Sequence, residues 1–175
     1  MKILVVQNRM GIGDSIIYLP YIEAISKKFG VPVTCLVKRN SKADEIFKNN
    51  RFIKDFIFLE RDKNKSSHDG VLGSLTLIKK LKSYKFDKIF IFNSSLRFFL
   101  ISKLSGIKEI FQYPLFAKNK QHIIFAAQNF LKNSIDVNVK SEPKIFLKED
   151  VVEKVKSKFN INNNNKNILF GIGGS

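Results

Sequence analysis

The residues best placed to do chemistry are Gly11-Ile12-Gly13-Asp14, a glycine-rich turn that closes the apolar run Lys2 to Gln7 and opens a stretch of helical period. In that context the first backbone amides of a helix can face a phosphate or a hydroxyl-bearing ligand. Two nucleotide motifs are excluded. A dinucleotide fingerprint needs a third small residue where Ile16 stands, and no Gly-Lys-Ser/Thr triplet follows to make a P-loop. Asp14 would itself repel a phosphate. The helix dipole favours negative charge at that position, so the carboxylate could accept a hydrogen bond or a proton from a sugar hydroxyl. The alternative is that Asp14 serves only as the helix N-cap. Pro20 follows with Ile16, Ile17 and Leu19 before it. Inside a helix it would cost a hydrogen bond to Ile16 and bend the axis, tilting the Asp14 turn toward a cleft; the alternative is that it sits in a first turn.

Other reactive side chains are isolated. His68 falls in a charged run and His122 near a helix start, neither with a second histidine or cysteine at ligand spacing, so both are expected on the surface. Cys35 lies in an apolar strand and reads as a buried, inert thiol. Phe86, Phe90, Phe92, Phe98 and Phe99 fall in or beside apolar elements, where core packing accounts for them better than a base-stacking platform.

The elements that must hold these residues alternate between buried-strand and helical signals, the pattern of parallel strands joined by crossover helices. Strands are expected at Lys2 to Gln7, Val33 to Val37, Asp55 to Leu59, Lys88 to Phe92 and near Glu109 to Gln112. Helices are expected from Asp14 to about Phe29, ended by Gly30 and Pro32, and from Ser41 to Lys48, where Ser41 can cap. Leu72, Leu75, Ile78 and Leu81 suggest one apolar stripe on a further helix, and Arg97 to Ser105 and Gln121 to Leu131 are helical too. Arg61 to Asp69 reads as an exposed loop. After Pro143 an amphipathic helix, Glu149 to Phe159, leads into the Asn-rich tract 160–167, which cannot build a core. Ile168-Leu169-Phe170 and Gly171-Ile172-Gly173-Gly174-Ser175 then read as the first strand and turn of a second domain, or as one more strand of this domain's sheet.

With 175 residues, 44% hydrophobic and 26% charged, the chain can bury a core without disulfides, and one cysteine excludes a disulfide framework or a Cys-based zinc site. Neither a secretory signal nor an apolar run of bilayer length is present, so the expected location is the cytoplasm. A net charge of +16 points either to partners with phosphate or anionic lipid headgroups or to a compositional bias toward Lys, Asn, Ile and Phe. The excess is lysine, with few arginines and no nucleic-acid motif, which argues against base or phosphate readout.

Lys2-Ile3-Leu4-Val5-Val6, Gly11-Ile12-Gly13-Asp14 and Leu19-Pro20 together resemble the N-terminal signature of glycosyltransferase family 9, the ADP-heptose:lipopolysaccharide heptosyltransferases. Asn50 to Leu59, Phe86 to Ile89, Leu96-Arg97, Leu104-Ser105-Gly106, Glu149 to Phe159, the tract 160–167 and Leu169 to Gly174 are similar to later segments of that family, although Arg51, Ile91 and Gln112 depart from it. The resemblance implies an α/β, Rossmann-like parallel sheet with helices on both faces, the N-terminal domain of an inverting GT-B enzyme. It divides the chain into an acceptor-binding domain, 1–159, a linker, 160–167, and the start of a nucleotide-sugar domain, 168–175. It implies Asp14 as general base, and Gly11, Gly13, Arg9 and Arg97 are assigned to the acceptor. The implied partners are a nucleotide-sugar donor and a lipid-linked saccharide acceptor, at an anionic membrane surface on the cytoplasmic side of the inner membrane, with no cofactor, no obligatory metal and no nucleic acid. The competing reading is a basic module that binds nucleic acid or an anionic surface without catalysis.

Overall fold

The computed structural model describes residues 1–9, 11–60, 67–115, 121–162, 164 and 166–168. Contacts divide the chain into two units, Met1–Ile145 and Phe146–Ser175. The first is a Rossmann-like α/β layer structure. Its sheet has five parallel strands, β1 (Ile3–Val6), β2 (Val33–Val37), β3 (Ile53–Phe58), β4 (Lys88–Ile91) and β5 (Glu109–Gln112), in the order β3-β2-β1-β4-β5. The helices are α1 (Ile12–Phe29), α2 (Ala43–Ile46), α3 (Gly70–Tyr84), α4 (Leu96–Leu104) and α5 (Ile123–Ile135), with a turn of 3₁₀ helix, Arg39–Ser41, before α2.

Strand alternation builds two cores, one on each face of the sheet. Ile3, Val5, Phe90 and Phe92 point to the face covered by α1 and α5, where Tyr18, Tyr21, Ile25, Phe130 and Leu131 pack against them. Leu4, Val6, Ile89 and Ile91 point to the other, covered by Leu77 and Leu81 of α3 and Phe98 and Ile101 of α4. Tyr21 also donates its hydroxyl to the Ile124 carbonyl at 3.2 Å, fastening α1 to α5.

Several local expectations need correction. Ser41 does not cap α2: its hydroxyl turns back to the Lys38 carbonyl, and Lys42, in a left-handed conformation, takes the N-cap position. Gly73, Leu77 and Leu81 of α3 are buried and Ile78 and Tyr84 pack against that core half-buried, whereas Leu72 and Leu75 face outward, because a strict three-residue repeat drifts around a helix of 3.6 residues per turn. Of the two places open to Pro20, the structure bears out the first: it is buried in the interior of α1 and not in its first turn. His68 is 3% exposed, not a surface residue. Its Nδ1 accepts from the Glu60 amide at 3.0 Å, and its own amide donates to the Glu60 carbonyl at 3.1 Å. Residues 61–66 of the expected loop lie outside the described residues.

In the second unit, α6 (Glu149–Lys158) buries none of its side chains. Ile168 is exposed, and the remainder of the expected strand and glycine turn, 169–175, lies outside the described residues.

Candidate functional site

In a parallel sheet every strand delivers its following loop to the same edge, and a crevice opens at that edge where successive connections leave on opposite faces. Here the reversal lies between β1 and β4: the chain leaves β1 for α1 on one face and β4 for α4 on the other. The two loops are linked across the reversal, with Asn93 Nδ2 donating to Asn8 Oδ1 at 2.7 Å.

The glycine-rich turn stands at this point. Gly11 is the N-cap of α1 with φ 107° and ψ 157°, a conformation that favours glycine because a Cβ would clash with its own backbone. Lacking a side chain, it leaves the first amides of α1 without a side-chain cap. Its carbonyl accepts the Ser15 hydroxyl at 3.4 Å, and that hydroxyl also lies 3.3 Å from the Ser41 carbonyl, which fixes the turn against the segment after β2. Space around Gly13 is open: a Cβ there would meet nothing within 4 Å.

Asp14 lies in the first turn of α1, so the N-cap alternative is set aside: Gly11 occupies that position. The half-buried carboxylate forms no hydrogen bond or ion pair with another described residue. It acts electrostatically on the Tyr18 hydroxyl, one helical turn further along, as does exposed Arg9. Burial raises the pKa of Tyr18, with Arg9 opposing and Asp14 reinforcing the shift. Burial also raises that of Tyr113, and Tyr18 adds to it. Both phenols are therefore neutral hydrogen-bonding groups at physiological pH. Their oxygens are close enough to perturb one another, but neither closes a hydrogen bond of ordinary geometry.

Further unsatisfied polar atoms collect at the same edge. Gln7 Oε1 and Nε2, Asn93 Oδ1 and Gln112 Oε1 are all buried without a partner among the described residues. Folded interiors rarely leave such groups unpaired, and each costs about 1–3 kcal/mol, so a concentration of them at one edge marks a place where a polar ligand can supply the missing bonds. Beyond β5 an open cavity of about 510 Å³ is lined by Ser94, Gln112, Tyr113, Asn129, Phe130 and Asn133, among others. Neutral amides, hydroxyls and aromatic faces suit a neutral, hydroxyl-rich molecule.

Arg97 stands on the other face of the sheet. At the start of α4 it donates from Nε to Ser74 Oγ at 3.0 Å and from Nη2 to the His68 carbonyl, tying α4 to α3 on the opposite face of the sheet from α1. His122 is exposed and caps α5, and Cys35 is fully buried with its thiol pKa pushed up to about 12, as an inert thiol should be. Gln7, Tyr18, Asn93 and Tyr113 are inconspicuous in the sequence. The signal available for Gln7 and Gln112 was an amide at the carboxyl end of an apolar strand.

Neither a protein-family model nor a curated protein sequence matches the chain. Solved structures do. A glycosyl transferase family 9 protein from Veillonella parvula DSM 2008 superposes with a TM-score of 0.64 at 15% identity, over 92% of this chain and 50% of that one. E. coli ADP-heptose LPS heptosyltransferase II gives 0.58 at 14% identity, over 93% of this chain and 52% of that one. E. coli heptosyltransferase WaaC with ADP gives 0.55 at 11% identity, over 81% and 50%. The chain thus spans about half the length of each, and its fold is that of one Rossmann-like half of a GT-B glycosyltransferase.

Proposed function

We propose that this chain is the N-terminal, acceptor-binding half of an inverting, heptosyltransferase-like glycosyltransferase. The observation that supports this reading is the partnerless Asp14 carboxylate, set beside Gly11 and Gly13 at the reversal of a sheet whose fold is shared with such enzymes. The acceptor is a saccharide of lipopolysaccharide-core type carried on a lipid, and the donor is a nucleotide sugar bound by a second half that begins at 168–175, after the linker 160–167. The enzyme works on the cytoplasmic side of an anionic membrane. Among the described residues no helix is long and apolar enough to cross it.

The acceptor hydroxyl approaches over Gly11 and Gly13, with Arg9 beside it and the amides and phenols of the edge holding neighbouring hydroxyls. As its oxygen attacks the anomeric carbon of the donor, the bond from that carbon to the nucleoside diphosphate breaks and the configuration inverts. The hydroxyl proton passes to Asp14 and the bond electrons leave with the diphosphate, which basic residues of the donor half neutralise. The proton transfer belongs late in the reaction, when the attacking oxygen has become acidic. Arg97 shapes the scaffold rather than touching the acceptor.

Asp14→Asn tests this reading. It removes a charge at a helix start, for a stability cost of about 0.3–1 kcal/mol. Turnover, measured with the nucleotide-sugar half supplied, should fall by about 100-fold to 10,000-fold while titration shows saccharide affinity nearly intact. Wild-type turnover by Asp14→Asn overturns it. The 175-residue chain alone should release no nucleotide from a nucleotide sugar, and turnover by it would refute the two-half assignment.

A further inference from the structure

The face of the sheet opposite α1 carries a feature the reaction does not use. Between α3 and α4 runs an open groove of about 620 Å³, lined by Val71, Leu75, Ile78, Leu96, Leu100 and Leu104, among others. These are not core residues with a glimpse of solvent: Val71 is 78% exposed, Leu104 63% and Leu96 58%, and Leu72 beside them is 79% exposed. A contiguous apolar surface of this kind on a soluble domain marks a surface to be covered.

Charge decides what covers it. Neither α3 nor α4 contains an acidic residue, and from Gly70 to Lys108 Asp87 is the only one. Helical period puts Lys79 and Lys82 on the same side of α3 as Leu75 and Ile78, and Lys103 adjoins Leu104 on α4. All three lysines are exposed and none forms an ion pair with a described residue. Asp69 is the acid at the groove's rim. A second copy of the chain is a poor occupant, because a two-fold interface would bring these lysines against themselves in molecules of charge +16 each. An anionic bilayer suits both features, its headgroups meeting the lysines and its acyl region the leucines.

We propose that the α3–α4 face is the surface by which this protein docks on anionic membrane lipid. The inference rests on the membrane-bound acceptor of the proposed function, and it adds an orientation. Because α3 and α4 both begin at the carboxyl edge of the sheet, Val71 and Leu96 lie at the edge that carries Asp14. A lipid-linked saccharide can then keep its lipid in the bilayer and reach the site with its sugar.

The experiment is co-sedimentation of the chain with vesicles of phosphatidylglycerol and phosphatidylcholine, against phosphatidylcholine alone. Leu75→Ser/Leu100→Ser should weaken binding to the anionic vesicles by about ten-fold or more, given the apolar area each leucine withdraws from water. Lys79→Glu/Lys82→Glu/Lys103→Glu should weaken it similarly, and Phe125→Ser, an exposed aromatic on α5, should leave it unchanged. Circular dichroism checks that each variant is folded. Absence of binding to anionic vesicles, equal loss with Phe125→Ser, or binding abolished by salt but indifferent to the leucines overturns the proposal. So does a concentration-dependent dimer in sedimentation that the leucine variant dissolves. Titration with a soluble, deacylated saccharide separates the two readings: the leucine variants should bind it as the wild type does, whereas failure of wild-type binding counts against the acceptor site alone.

Discussion

Gly73→Ala sets two well-calibrated effects against each other. In an exposed helix interior, alanine stabilises relative to glycine by about 1 kcal/mol. At Gly73, however, a Cβ would lie 2.2 Å from the carbonyl carbon of His68, 2.7 Å from its Cα and 3.0 Å from its oxygen. Ordinary contact begins near 3.4 Å, so the main chain must separate by about 1 Å on one side or the other. No side chain can rotate away to relieve it. The amide of Gly73 also bonds the Asp69 carbonyl at 2.9 Å, and His68 is pinned to Glu60 through both its ring and its amide, so the turn is held from two directions. Overpacking of this kind costs about 1–3 kcal/mol, and backbone against backbone belongs at the upper end. The net expectation is a loss of about 2 kcal/mol, or about 4–8 °C in melting temperature for a chain of this size. Urea denaturation with unchanged slope would measure it. Because Arg97 donates to the His68 carbonyl and to Ser74 Oγ, the shift should also loosen α4 against α3, seen as faster amide exchange in the first turns of both. A gain of about 1 kcal/mol would show that helix propensity wins and that the His68 turn yields freely.

Gly13→Ala makes the opposite test: with nothing within 4 Å of its Cβ it should raise stability by up to about 1 kcal/mol, yet lower saccharide affinity in titration, because the methyl group occupies the acceptor's approach. Gln7→Met should raise the urea midpoint by about 1–3 kcal/mol in free energy, since it removes two buried polar atoms that have no partner; a lowered midpoint would show that the amide is satisfied. Burial, helped by Lys80 and Arg97, lowers the pKa of His68 from its ordinary value of 6.5, so the folded state favours the neutral ring. Its contribution to stability is complete above 6.5 and is lost as pH falls below that value toward the folded pKa, so His68→Asn should flatten the slope of stability between pH 7 and 5.

The sheet was legible because its signal is periodic. Continuous apolar runs with glycine turns between helical stretches admit little besides a parallel α/β layer, and the alternation of Leu4 and Val6 against Ile3 and Val5 already implies two cores. The Gly11 to Asp14 turn was legible as well, because a glycine pair between strand and helix has few uses. What could not be read were contacts that depend on distant packing. His68 sits in a charged, aperiodic run, and its burial depends on Gly73, Glu60 and Arg97 converging from three separate segments. Tyr18 and Tyr113 lie 95 positions apart and look like core aromatics until α1 and the end of β5 bring their hydroxyls together. The outward turn of Leu72 and Leu75 was hidden by an apolar repeat that is close to the helical period without matching it.

The polar edge and the apolar face have one cause in the chain's topology. A parallel sheet buried on both sides must use its strand interiors for packing, so chemistry is left to the residues at or just past each strand end, and here those are Gln7, Asn8, Asn93, Gln112 and Tyr113. Placing unpaired amides and phenols there costs stability in the free chain, which the two cores can absorb and which a hydroxyl-rich ligand could return as binding. The same topology starts α3 and α4 at that edge and carries their outer faces away from it. An amphiphile with a sugar at one end and a lipid at the other therefore meets matching chemistry in matching order: amides, phenols and Asp14 at the edge, then leucines and lysines along the helices. Exchanging the order, with the apolar groove at the amino edge, would leave the sugar and the lipid competing for opposite ends of the domain.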